Sequence, residues 1–158
     1  MLPLGHIGIR SVDGGASDRY TRFTKDEQVT MMTLWSIFRS PLMFGGELRD
    51  NDDWTLSLLT NEELLEMHRS SHGARQLYRK DDKVVWTAKG NDGDVYVALF
   101  NISDDKQTVK VDFNQLDLPS SEFQLKDVWK QEQVDAVSED ISYELSPHAC
   151  VLLKVTGN

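Results

Sequence analysis

The chain has 158 residues, 26 of them acidic and 17 basic, for a net charge of −9. That balance, with no basic cluster, excludes nucleic acid and an anionic membrane surface as partners, because binding there rests on Lys and Arg neutralising phosphates. The single cysteine, Cys150, excludes an internal disulfide and a thiolate metal cage, and no apolar run has the length of a membrane span.

In chain order, the first strong signal is Thr24 followed three residues later by Glu27, a capping box that starts a helix near Lys25. Val29, Met31, Met32, Leu34, Trp35, Ile37 and Phe38 cover more than one stripe, so the helix over residues 25–39 is expected to be enclosed on several sides. Pro41 is the expected stop, since the residue before a proline is pushed out of helical geometry. Leu42, Met43 and Phe44, closed by Gly45 and Gly46, then read as a short strand buried on both faces, as in a parallel sheet. Helix followed by buried strand is a fragment of a barrel or of a doubly wound sheet.

Residues 54–59 and 61–70 read as a broken helix or helix pair, with Asp53 and Thr60 as N-caps, a second capping box from Thr60 to Glu63, and His72-Gly73 as the stop. Beyond residue 73 the pattern changes to short alternating runs at 76–79, 84–89, 94–102, 107–113, 122–129, 141–145 and 149–155. Turns at 81–82, 91–93 and 103–105 connect the earlier runs, and the short spacing favours antiparallel hairpins. Seven such strands imply an antiparallel sandwich. Residues 116–121 and 130–140 are polar or proline-containing and read as loops. The expected fold class is mixed α and β, divided into residues 1–73 and 74–158.

Together these residues resemble a known family. Met1-Leu2 with Gly5, the helix carrying Leu34-Trp35-Ser36-Ile37, Ser40-Pro41-Leu42, and Gly45-Gly46-Glu47-Leu48-Arg49 resemble the last third of the melibiase-type α-galactosidases, glycoside hydrolase family 27. Asp127-Val128-Trp129 and the run from Ser146 to Val155 look like that family's closing β-domain. The resemblance implies a partial (β/α)₈-barrel end, the last one or two βα units, followed by an antiparallel β-sandwich. Residues 1–5 and 42–46 would be barrel strands seven and eight, and residues 25–39 and 54–70 their helices. It also implies a parent enzyme that removes terminal α-linked galactose with retention, acting on terminal galactosides or related glycans and needing no cofactor or metal. The same scaffold serves α-N-acetylgalactosaminidases and β-L-arabinopyranosidases, and a noncatalytic accessory module, stabilising or carbohydrate-binding, is the alternative from another class. Retaining hydrolysis needs two carboxyl groups about 5 Å apart. In the family both are aspartates on earlier strands, so the catalytic pair is expected upstream of Met1 and the isolated segment is expected to be inactive. The first residues carry no signal-peptide blocks. The parent's compartment, secreted or periplasmic among the options, stays open.

The candidate substrate contacts are few. By resemblance Met1 would lay its thioether against the sugar ring, the alternative being a terminal residue without a role. The segment 10–23 joins the expected seventh strand to its helix and is longer than the usual family connection. Its Arg10, Asp13, Arg19 and Tyr20 suit hydrogen bonding and stacking on a sugar beyond the cleaved bond, and such loops line the catalytic face of barrels. The bland alternative is a solvated loop. Glu47, Asp50, Asp52 and Asp53 are best explained by helix capping and an ion pair with Arg49. His68 and His72, four apart, could share a helix face, but no third ligand follows at metal spacing. Trp86, Tyr96, Trp129 and Tyr143 read as core rather than a stacking platform, and Cys150 as a small buried hydrophobe. Unpaired barrel edges imply that the segment alone either packs its helices onto the sandwich or self-associates.

Overall fold

The computed structural model describes residues 1–8, 17–118, 123–134 and 140–157, the side chain of Asp92 excepted. The first half holds two two-residue strands, β1 (His6–Ile7) and β2 (Arg19–Tyr20), and three helices, α1 (Lys25–Ile37), α2 (Asp53–Leu59) and α3 (Glu62–Ser70). The second half holds β3 (His72–Lys80), β4 (Lys83–Lys89), β5 (Val95–Asn101), β6 (Gln107–Asp112), β7 (Phe123–Asp127), β8 (Glu132–Val134), β9 (Asp140–Leu145) and β10 (Cys150–Gly157).

The sandwich is a six-stranded antiparallel sheet in the order β3-β4-β5-β10-β7-β8, covered on one face by the β6-β9 ribbon. Alternation explains the layering. Val95, Val97 and Leu99 of β5 pack with Val109, Val111, Ile141 and Leu145 of the ribbon. Tyr96, Ala98 and Phe100, pointing the other way, pack with Met32 and Ile37 of α1 and Leu64 and Met67 of α3. Every residue of β5 is therefore buried, and the sheet is the middle of three layers. Polar ties join helices to sheet. Thr33 Oγ1 accepts from Trp129 Nε1 at 2.8 Å and from the Cys150 thiol at 3.3 Å, and Asn61 Nδ2 donates to the Val128 carbonyl at 3.0 Å. The helices thus pack onto the sandwich.

Several expectations change in detail. The capping box at Thr24 and Glu27 forms, with Thr24 N–H donating to the Glu27 carboxylate at 2.7 Å. α1 ends before the proline exerts any effect. Arg39 takes a left-handed backbone (φ 59°), with Arg39 N–H donating to the Ser36 carbonyl and Ser40 N–H to that of Trp35, a Schellman ending built on arginine instead of glycine. Its guanidinium then donates to the carbonyls of His68, Arg69 and Ser71 at the end of α3, so one side chain closes two helices. The N-caps of α2 and α3 are Asp52 and Asn61, one residue away from the expected Asp53 and Thr60. Gly73 is no helix stop. It sits at φ 62° where the β3–β4 register slips, and β3 already starts at His72, which separates His72 from the helix of His68. The spacing of β5 and β6 suggested a hairpin, yet β6 crosses to the other sheet and pairs with β9. Residues 132–134, expected in a loop, form the edge strand β8.

In the first half, residues 2–5 and 43–46 run side by side as a seam. Leu2 bridges Phe44 in parallel, with Leu2 N–H donating to the Met43 carbonyl at 2.6 Å and Gly45 N–H to that of Leu2 at 2.8 Å. Gly46 permits the approach, since a Cβ there would stand 2.4 Å from the Leu4 carbonyl oxygen. Burial of 42–44 on both faces does not hold. Met43 is 60% exposed because, among the described residues, the run from Leu2 alone pairs with this segment, while Leu42 and Phe44 are half-buried against the core.

Candidate functional site

The seam sets the backbone of the candidate site. Leu2 and Leu4 are fully buried beside α1 and α3, which anchors the run that ends in Gly5 and His6. Gly5 turns the chain at φ 64°, and its carbonyl accepts from Thr21 N–H at 2.9 Å. The next residue, His6, offers its own carbonyl to Glu47 N–H at 2.8 Å. β1 and β2 then pair antiparallel, with His6 opposite Tyr20 and Ile7 opposite Arg19.

This geometry assembles a cluster from three separate stretches of chain. The His6 imidazole lies between two carboxylates, with Nδ1 2.6 Å from Asp50 Oδ2 and Nε2 2.5 Å from Asp18 Oδ1. Tyr20 stacks on the ring almost in parallel, with centroids 4.7 Å apart and planes 6° from each other. The hydrogen bond that His6 donates to Asp50 is the largest influence on the ring and, with that donated to Asp18, holds its pKa above the usual 6.5 against the opposing effect of desolvation. An ionised carboxylate only accepts, so two carboxylate partners require both ring nitrogens to donate, which is the imidazolium state. Tyr20 remains 51% exposed, with an aromatic face open to a ligand. Arg19 points into a neighbouring groove of about 430 Å³ bordered by Pro3, Arg22, Phe23 and Glu27.

Of the sequence candidates, Arg19 and Tyr20 come together on β2, while Arg10 and Asp13 lie outside the described residues. Met1 is at the head of the seam, 84% exposed. Asp52 caps α2 by accepting from Thr55 N–H at 2.7 Å, and Glu47 pairs with Arg49 at 3.0 Å, as expected of that acidic run. Asp50 departs from it by binding His6. Sequence reasoning passed over His6 and Asp18 altogether. The available signal was a histidine directly after a buried apolar run and its glycine, where strand ends carry functional groups. Elsewhere, Tyr96 is core, Trp86, Trp129 and Tyr143 are packed against core clusters, and burial pushes the Cys150 thiol up to about 11, which suits an inert hydrophobe. His68 Nε2 meets the Ser40 carbonyl at 2.9 Å.

Comparison with known proteins places this arrangement. Residues 80–155 match the alpha galactosidase C-terminal beta sandwich domain. An α-galactosidase of Cyamopsis tetragonoloba is 27% identical over 136 residues, 84% of this chain and 33% of the relative. Among solved structures, a family 27 β-L-arabinopyranosidase of Geobacillus stearothermophilus superposes with a TM-score of 0.93 at 58% identity, over 99% of this chain and 36% of that one. A Bacillus halodurans protein proposed to be an α-N-acetylgalactosaminidase gives 0.93 at 53% identity, over 100% of this chain and 38% of that one. The fold and these relatives define a glycosidase-associated β-sandwich with the helical segment that packs on it. Residues 80–155 belong to the alpha galactosidase C-terminal beta sandwich family, and the chain as a whole is similar to glycosidases that include a family 27 enzyme. It spans between a fifth and about a third of the length of the curated relatives it matches.

Proposed function

We propose that this chain is the C-terminal segment of a retaining, exo-acting family 27 glycosidase that cleaves terminal pyranosides of galacto configuration, with β-L-arabinopyranosides the preferred substrates. The observation that carries the sugar preference is the 58% identity with the β-L-arabinopyranosidase, against 27% with the Cyamopsis α-galactosidase. The two sugars share ring configuration, L-arabinopyranose lacking the hydroxymethyl group of galactose. Removal of terminal α-galactose is the second reading, supported by the α-galactosidases among the relatives.

In this reading, residues 2–5 and 43–46 are the last two parallel strands of a barrel, and their C-terminal ends face the sugar. The parallel bridge of Leu2 with Phe44 supports it. The catalytic carboxyl pair belongs to earlier strands outside this chain. The β1–β2 hairpin borders the leaving-group side, with Tyr20 as a stacking face and Arg19 as a hydrogen-bond donor. Met1 lies against the sugar ring. The sandwich supports the barrel and carries no chemistry.

The test is hydrolysis by the enzyme that contains this chain, measured on p-nitrophenyl β-L-arabinopyranoside and p-nitrophenyl α-D-galactopyranoside. The expected result is the higher kcat/KM on the arabinoside, with the 158-residue chain alone inactive on both. Preference for the galactoside selects the second reading, and no turnover of either refutes both. Turnover by the isolated chain refutes the placement of the acids elsewhere.

A further inference from the structure

Three stretches of chain meet at His6, its own and those of residues 18–20 and of Asp50. Asp18 comes from the residue before β2, Asp50 from the segment that follows the seam, and Tyr20 from β2 itself. The Glu47 carboxylate pairs with Arg49 while its N–H holds the His6 carbonyl, and Arg19 stands across from Ile7 and faces the groove. The hairpin is short, two residues per strand, so backbone pairing alone fixes it weakly.

We propose that His6 is an imidazolium clip, a positioning residue that holds Tyr20 and Arg19 over the seam ends and makes leaving-group recognition by the hairpin pH-dependent. The leaving-group half rests on the glycosidase reading above; the clip does not. With both nitrogens protonated, the ring donates to Asp18 and to Asp50 at once and ties the hairpin to the segment after the seam. Once neutral, it keeps one N–H, and its bare nitrogen lone pair faces the other carboxylate. One tie is lost, and the flat ring under Tyr20 no longer has a fixed orientation. The substrates that feel this are those whose leaving group reaches Tyr20, such as a second sugar. A compact aryl leaving group feels it less.

Two measurements decide it. Long-range ¹H–¹⁵N correlation spectra of the 158-residue chain, recorded through a titration, read the His6 nitrogens directly. Expected are two protonated nitrogens at neutral pH and a midpoint above 6.5 that falls in Asp18→Asn and in Asp50→Asn. Both carboxylates are more than half exposed, so neither change threatens the fold. A single neutral tautomer at neutral pH, or a midpoint that neither substitution moves, overturns the clip. In the enzyme that contains this chain, the ratio of kcat/KM on an arabinosyl or galactosyl disaccharide to that on the aryl glycoside should drop roughly fivefold across the His6 titration, the scale of one hydrogen bond. The drop should be absent in Asp18→Asn, and Tyr20→Ala should give the low ratio at every pH. A ratio that stays flat in the wild type overturns the leaving-group role while the spectra still decide the clip. An enzyme without turnover on any glycoside removes the glycosidase reading and the leaving-group role with it.

Discussion

In the sandwich, β5 has a paired strand on either side and a packed layer on either face; in the seam, residues 43–46 pair with a single run among the described residues and leave Met43 60% exposed. The sandwich satisfies its backbone and buries its apolar side chains from its own sequence. The seam buries Leu2 and Leu4 but leaves one edge of residues 43–46 unpaired among the described residues, and the His6 cluster and the exposed ring of Tyr20 lie at its end. Burial and hydrogen bonding are thus concentrated where no chemistry is expected, and groups able to meet a ligand sit where the packing is open. Rigid support and open site are separate parts of one chain; Thr33 and Asn61 tie the helices to the sheet, and Arg39 ties α1 to the end of α3.

That contrast predicts where stability resides. Leu99→Ala removes a fully buried side chain between the two sheets and should cost about 3 kcal/mol in urea unfolding, since neighbours in a closed layer cannot collapse into the gap. A loss below about 1 kcal/mol would mean that the sandwich interior is loosely packed. Next comes Asn101→Ala. The Asn101 amide, fully buried, donates to the carbonyls of Asp105, Leu145 and Ser146, and its oxygen accepts from Ser103 N–H at 3.0 Å. Deleting it strands those groups at the point where β5 leaves the sheet, for an expected loss of about 2 kcal/mol. Parity with a surface substitution would show that water replaces the amide.

What could be read from the sequence follows the same division. The strands β4 to β7, β9 and β10 were legible because apolar residues recur over a buried face; β3, which buries no residue fully, is marked by the Asp81-Asp82 turn, where two residues with positive φ join it to β4. β8 was not, because an edge strand with polar residues on its outer side carries no alternation that separates it from a loop. Nor was the crossing of β6 into the second sheet, since loop length does not say which sheet a strand joins. Arg39 gave no sign of ending α1. Its left-handed backbone is held by guanidinium contacts to α3, about thirty residues away in sequence. The His6 cluster was illegible for a related reason. Its partners lie 12 and 44 residues off, and neither spacing belongs to a helix or a hairpin turn. Arg19 and Tyr20 stand out as candidates by residue type alone, while the pairing that brings them beside His6 has no sign in the sequence.

Between the two regions lies α1, which packs against both. Thr24→Ala removes the cap side chain that accepts from Glu27 N–H at 3.2 Å and should cost about 1 kcal/mol. The same motif predicts an acid-side dependence. Hydrogen bonds from the Thr24 backbone and side chain hold the Glu27 carboxyl below its usual value of 4.5. A depressed carboxylate contributes stability that is present above the unfolded value and lost as pH falls through the folded one. The difference between wild type and Thr24→Ala should therefore shrink below about pH 4.5. A difference that is constant with pH would assign the cap to the threonine hydroxyl alone.

The smallest effect is expected in the seam. Met43→Ser replaces a large side chain that is mostly exposed and lies outside both core clusters, beside the bridge of Leu2 with Phe44, so stability should change by less than about 0.5 kcal/mol. The measurement sharpens the comparison further if unfolding is repeated over a range of protein concentrations. An exposed strand edge with apolar neighbours is a template for pairing. Were a second copy to cover it, wild-type stability would rise with concentration and Met43→Ser would abolish the rise. A concentration-independent midpoint, unchanged by the serine, leaves the seam as an open edge in solution and confirms that the sandwich and helices hold the fold without it.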